Sequence, residues 1–209
     1  MDASEFTDTL RTERATKLDR LGSDKALVAT TNAQLDTTPV LAAAARSEAR
    51  AAETFEAWAA DTDDEAVREA FEAVAETERE HYERVADRLD EEVDDDADPL
   101  HDHLRGLDAP VERVAAGMVA RPLVASRSLL QAVNFFVNDA DEPTANLFRD
   151  LRSETETMAE EGAELLETLC ASEAEWDRAM DAATETVDVA YEAYADALEE
   201  LGVDPRPVC

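Results

Sequence analysis

Residues 71–89 read FEAVAETEREHYERVADRL, a segment whose apolar positions recur at helical spacing around two polar interruptions. Val67, Phe71, Val74, Glu78, His81, Val85 and Leu89 succeed one another at intervals of three or four residues. That spacing puts all of them on one face of an α-helix. Glu78 and His81 therefore fall on the face the helix buries. The preceding segment, ARSEARAAETFEAWA over residues 45–59, does the same. Leu41, Ala44, Glu48, Ala51, Phe55 and Trp58 form its stripe, with Glu48 in the middle. A carboxylate in a helical core is costly unless paired, protonated or bound to a metal. Two acids and an imidazole at one depth of one core point to a common purpose. Glu78-x-x-His81 sets a carboxylate and a ring nitrogen one turn apart, a spacing by which helical bundles hold iron or manganese.

Outside these two segments the period stays helical, and no alternating strand pattern persists. Residues 1–36 read as a helical extension. Ser4 is its expected N-cap, and Leu10, Ala15, Leu18 and Leu21 lie near one face before a stop at Gly22 and a short piece over Lys25–Thr30. Thr38 and Pro39 open a helix to about Asp61, with Thr38 as cap and Pro39 at its first position. Asp64 caps a helix from Glu65 to about Asp90, and the acidic run Glu91–Pro99 reads as a solvated loop. One turn of helix is expected over Leu100–Gly106. A longer helix runs from Pro110 to about Asn138, with a kink or break at Pro122. Glu142 and Pro143 begin another, to about Cys170. Ser172 caps a last helix over Glu173–Leu201, ended by Gly202 and Pro205. Short connections make neighbouring helices antiparallel. The expected fold is all-α: a bundle over 37–170, the extension over 1–36, and a C-terminal helix with a short tail over 171–209.

Composition narrows the function classes. The 209 residues carry 52 acidic and 19 basic side chains, a net charge of −33. Nucleic-acid binding through phosphate contacts needs clustered Lys and Arg, so a nucleic-acid partner is not expected. A polybasic membrane surface is excluded for the same reason. No stretch approaches the roughly 18 consecutive apolar residues of a spanning helix, so no membrane partner is expected. The hydrophobic fraction of 44% argues for a folded chain with an acidic surface. Only Lys17 and Lys25 among the basic residues are lysines. Abundant acid with scarce lysine resembles the proteins of salt-accumulating halophiles, in whose cytoplasm a Debye length of ~3 Å or less mutes surface repulsion. The opening MDASEFTDTL has acid where a signal peptide carries base, so the expected location is the cytoplasm. Cys170 and Cys209 form no C-x-x-C pair, which leaves no basis for a disulfide framework or a cysteine-based metal site. Phosphate-binding glycine loops and the G-x-S-x-G elbow are also missing.

The two quoted segments resemble the first helix pair of the rubrerythrins, within the ferritin-like superfamily. The closest part is ETEREH, residues 76–81. The resemblance implies an antiparallel four-helix bundle with a carboxylate-bridged di-iron centre. It assigns Glu48, Glu78 and His81 as ligands of iron, or of manganese. It also implies peroxide- or oxygen-linked redox chemistry, or iron oxidation. The C-x-x-C pairs of a rubredoxin domain are missing, so electrons would come from an external donor.

The second half departs from the family pattern. FRDLRSETETMAEE, beginning at Phe148, is the counterpart of the segment beginning at Phe71. On that register Thr155 stands where Glu78 would, Met158 where His81 would, and Ala125 or Ser126 opposite Glu48. Glu154 and Glu156 flank the stripe, and a shift of register would bring Glu154 in. The third helix has Arg127, Gln131 and Asn134 near its inward face and no carboxylate between Glu112 and Asp139. Three readings are open. The site is a metal-free relic in which Arg127 pairs with Glu48 or Glu78. Alternatively, Glu48, Glu78 and His81 hold one ion, or complete a two-metal site with a second copy in a homodimer. The third reading is an intact intramolecular di-iron site. A different class remains beside these: a scaffold or regulatory protein, for example one associated with transcription, that keeps the bundle without metal. His101 and His103 form an H-x-H pair that reads as an incidental loop feature. Tyr82, Met158, Phe135 and Phe136 read as packing residues, and Trp176, Tyr191 and Tyr194 as cover for the bundle.

Overall fold

The computed structural model describes residues 1–90 and 98–206. Most of the acidic run expected as a loop, and Cys209, lie outside the described residues. Among those described, every regular element is a helix. No helix is long and apolar enough to cross a membrane.

The N-terminal extension is three helices: α1 (Ala3–Glu13), α2 (Ala15–Leu21) and α3 (Lys25–Thr30). Asp2, not Ser4, caps α1, because it forms a reciprocal capping box with Glu5. Phe6, Leu10 and Leu18 are fully buried, so this otherwise polar segment is anchored on its apolar side. Then come α4 (Thr37–Ala60) and α5 (Glu65–Ala86), joined by four residues and packed along their length. Asp36 stands at the N-cap of α4 in place of Thr38, so the helix starts earlier than Pro39 alone suggests. Asp64 caps α5 as expected, its Oδ1 accepting from the Val67 amide at 3.1 Å. Between α4 and α5, Phe55 meets Trp58 edge-on and Phe71 at a tilt, closing one end of the core.

After α6 (Pro99–Arg105), the long third helix is not one regular α-helix. It consists of α7 (Pro110–Arg113), a π-helical segment (Val114–Ala120) and α8 (Arg121–Asn138). The expected disturbance at Pro122 takes this form. Pro122 has no amide to bond the carbonyl four residues back, and the turn before it widens so that the Arg121 amide reaches Ala116. All seven π-helical residues are buried. The Met118 carbonyl packs on Gly162, where an added Cβ would lie 2.8 Å from its oxygen. The remaining helices are α9 (Glu142–Leu169), which packs along α8, and α10 (Glu173–Glu200), which crosses the π-helical segment and α6. Ser172 and Asp141 cap these two helices. Gly202 ends α10 with φ near 73°, the left-handed conformation glycine tolerates best.

The cover by α10 includes polar contacts. Tyr191 accepts from Arg20, and Tyr194 shares a hydrogen bond with Ser23, so the two tyrosines tie α10 to the extension.

Candidate metal centre

On α4 and α5 the helical stripes are buried as their spacing requires. Glu48 is 3% exposed, and Glu78 and His81 are 0% exposed. Each offers one ligand atom, and those atoms lie within 4.8 Å of one another, a buried group that could hold a metal ion. His81 Nδ1 lies 3.8 Å from Glu78 Oε2 and 3.9 Å from Glu48 Oε2. Donors bound to one ion at about 2.1 Å stand roughly 3–4 Å apart, so a small contraction would close the set.

The opposite side of the histidine ring is fixed from α9. His81 Nε2 lies 2.6 Å from Glu154 Oε2, and Glu154 also accepts from Arg84 at 2.8 Å. A carboxylate on one imidazole nitrogen directs the lone pair of the other towards a metal. Glu154 is 45% exposed at its side chain, so it closes the cluster from the solvent side. Thr155 and Met158 are buried on the same helix, as the repeat register implies, but Thr155 donates back to Leu151 and adds no ligand.

From α8 comes a cation other than the one its expected inward face offers. Arg121, not Arg127, enters the core. Arg121 is 1% exposed, donates from Nη1 to Glu78 Oε1 at 2.5 Å, and has Nη2 3.6 Å from Glu48 Oε2. Arg127 is half-buried on the other side of α8, where Gln131 donates to the Gly22 carbonyl; Asn134 is exposed. Counting back from Leu129 in steps of four reaches Ala125 and then Arg121, and this is the signal in the sequence that points to it.

Electrostatics in the cluster are set by this geometry. Burial pushes the Glu78 carboxyl up to about 8, and Glu48 adds to the rise against the pull of Arg121. Burial acts on Glu48 in the same sense, but the adjacent Glu78 and His81 and the charge of Arg121 hold it below the usual carboxylate range. Of the two neighbouring acids, Glu78 is thus the one that holds a proton more tightly. Burial would lower the His81 imidazole, yet the nearby carboxyls of Glu48 and Glu78 and the bond to Glu154 hold it above its ordinary value.

Beside Arg121 stands a second pair whose histidine is buried, and it corrects the reading of the H-x-H motif. His101 is 1% exposed and lies on α6, with Nδ1 2.9 Å from Asp98 Oδ2. His103 turns the other way, to Thr186 on α10 at 3.2 Å, so the two imidazoles do not converge. The positive charge of Arg121 acts on His101, and the charge of Asp98 acts on Arg121.

Among the described residues, Glu78 Oε2, His81 Nδ1, Arg121 Nε and Nη2, and His101 Nε2 are buried without a hydrogen-bond partner. Such atoms are costly when left unsatisfied. Glu78 Oε2 and His81 Nδ1 are the same two atoms that face each other in the cluster. The donor set fits one divalent ion. It does not fit two, because α8 supplies a guanidinium and no carboxylate.

Comparisons with protein-family models, with curated proteins and with solved structures find no match.

Proposed function

We propose that this chain is a ferritin-like bundle protein, resembling the rubrerythrins, that holds a single iron or manganese ion in its core. Glu48 and Glu78 would be its carboxylate ligands and His81 Nδ1 its nitrogen ligand. The observation that carries this reading is the pair of buried, unpartnered atoms, Glu78 Oε2 and His81 Nδ1, with Glu154 held on the far side of the same ring. Bound iron or manganese would supply one-electron redox capacity and a Lewis acid for oxygen- or peroxide-linked chemistry or iron oxidation. Electrons would come from an external donor.

The chain's own residues have separable roles. Glu154 sets the tautomer of His81, and Arg84 holds Glu154 in place. Arg121 offsets the charge of Glu48 and Glu78 from the side where a second metal would otherwise sit. Loading the site requires Glu78 to lose its proton, so metal binding releases protons and tightens as pH rises.

A metal-free reading has its own supporting observation, the 2.5 Å contact of Arg121 with Glu78. On that reading the bundle is a scaffold whose former metal site is replaced by an ion pair. Elemental analysis of protein purified in high salt separates the two. The metal reading expects about one iron or manganese per chain, lost in Glu78→Ala and His81→Ala. Metal-free wild-type protein that stays unloaded at excess iron(II) and manganese(II) would overturn it.

A further inference from the structure

A cleft on the outer side of α8 has the opposite electrostatic character to the rest of the molecule. It lies between the N-terminal extension and the α8–α9 pair, and encloses about 220 Å³. Arg11, Arg127 and Arg152 line it, with Glu156 as the sole acid among its walls. The whole chain has 52 acidic residues against 19 basic ones, so this inversion is local and specific. Leu18 and Leu123 form an apolar floor. Pro122 also lines the cleft, next to Arg121, so one wall of α8 separates it from the core cluster.

The counter-charges within the cleft are incomplete. Glu156 pairs with Arg152 at 2.7 Å but leaves its buried Nε without a partner. Arg11 has Asp8 at 3.9 Å, between exposed side chains, a contact of little strength. Arg127 makes no hydrogen bond or ion pair with any described residue. Its stem is nonetheless held in place: an added Cβ at Gly22 would lie 3.2 Å from Arg127 Cδ. Three guanidiniums around one concave space repel one another unless an anion offsets them. Their planar donor sets match the oxygens of carboxylate and phosphate groups. The space is large enough for a small organic molecule.

We propose that this cleft binds a small organic oxyanion. Its carboxylate or phosphate group is held by Arg127 and Arg152, with Arg11 closing over it, and its apolar body rests on Leu18 and Leu123. The site is independent of the core metal cluster.

Calorimetric titration of the full chain tests this with phenyl phosphate, benzoate and inorganic phosphate as probes. Phenyl phosphate or benzoate is expected to saturate one site per chain, and the tighter of the two identifies the oxyanion. Inorganic phosphate binds more weakly because it lacks the apolar body. Arg127→Gln and Arg152→Gln are each expected to weaken binding about tenfold, the scale of one charge-assisted hydrogen bond. Both variants keep the wild-type melting temperature and metal content, which separates this site from the core, and Arg127→Lys restores part of the affinity. Absence of saturation with all three probes overturns the proposal. So does binding that is unchanged in both Gln variants. Inorganic phosphate binding as tightly as phenyl phosphate overturns the assignment of an apolar body.

Discussion

Arg121 on α8 donates to Glu78 on α5 at 2.5 Å, with both side chains withdrawn from solvent. Forty-three residues of sequence separate them. Their contact puts a fixed positive charge beside Glu48 and Glu78.

Removal of that charge leaves the two acids uncompensated. Arg121→Gln is expected to destabilise the metal-free protein by about 3–5 kcal/mol, the usual cost of breaking a buried pair from one side. Urea unfolding measures it. On the single-ion reading, manganese(II) at about 100 times its dissociation constant restores about 2.7 kcal/mol. On the scaffold reading it restores nothing.

Glu154→Gln tests the orientation of His81. The variant keeps a hydrogen-bonding group near Nε2 but loses the charge that directs the lone pair of Nδ1. Metal affinity is expected to fall about 10- to 100-fold, read by competition with a chelating dye. Glu154 is half-exposed, so folding stability changes little.

Acid sensitivity is expected from the Asp98–His101 pair. Burial pushes the His101 imidazole below its ordinary 6.5, opposed by Asp98 and reinforced by Arg121 and Arg105. Below pH 6.5 the unfolded chain takes up a proton that folded His101 refuses. The His101 contribution to stability therefore rises with pH through that window, while Glu78, whose carboxyl burial pushes up to about 8, contributes the opposite slope. Burial would raise Asp98, but its bond to His101 and the charge of Arg50 hold it well below the usual carboxylate range. Its stabilising contribution is present above the ordinary 3.8 and is lost at still lower pH, a loss of the same sign. With His101 neutral, the Nδ1–H bond, the backbone amides of Leu100 and His101, and the ion pair to Arg50 at 3.3 Å hold Asp98. Urea unfolding of metal-free protein between pH 5 and pH 7 should show wild type gaining stability relative to His101→Gln as pH rises.

Gly162→Ala probes the contact between α9 and the π-helical segment. An added Cβ would lie 2.6 Å from Met118 Cβ and 2.8 Å from its carbonyl oxygen. Backbone cannot swing away as a flexible side-chain tip can. Destabilisation of about 1–3 kcal/mol is expected, seen as a lower melting temperature by calorimetry.

Glu48, Glu78 and His81 are legible from the sequence because each interrupts an apolar stripe of constant helical period. Position along one helix determines its facing direction, and two adjacent antiparallel helices bring two stripes together. For the same reason the helical class, the Asp64 and Ser172 caps and the burial of Thr155 and Met158 are local information. Helical phase is lost at Val114–Ala120. There every residue is apolar or glycine, so no face stands out, and the π-helical turn inserts an extra residue that rotates α7 against α8. The inward face expected for the third helix includes Arg127, while Arg121 is the arginine that enters the core.

Sequence by itself therefore determined the helices and the three core-facing groups, since periodicity is a property of neighbours along the chain. Only tertiary structure decided which side chains meet those groups. Arg121, Glu154 and the Asp98–His101 pair arrive from other helices, and their approach depends on packing around the π-helical turn and Gly162. Whether two buried acids face a second metal or a guanidinium is a matter of relative helix rotation, and no local pattern in this chain encodes it.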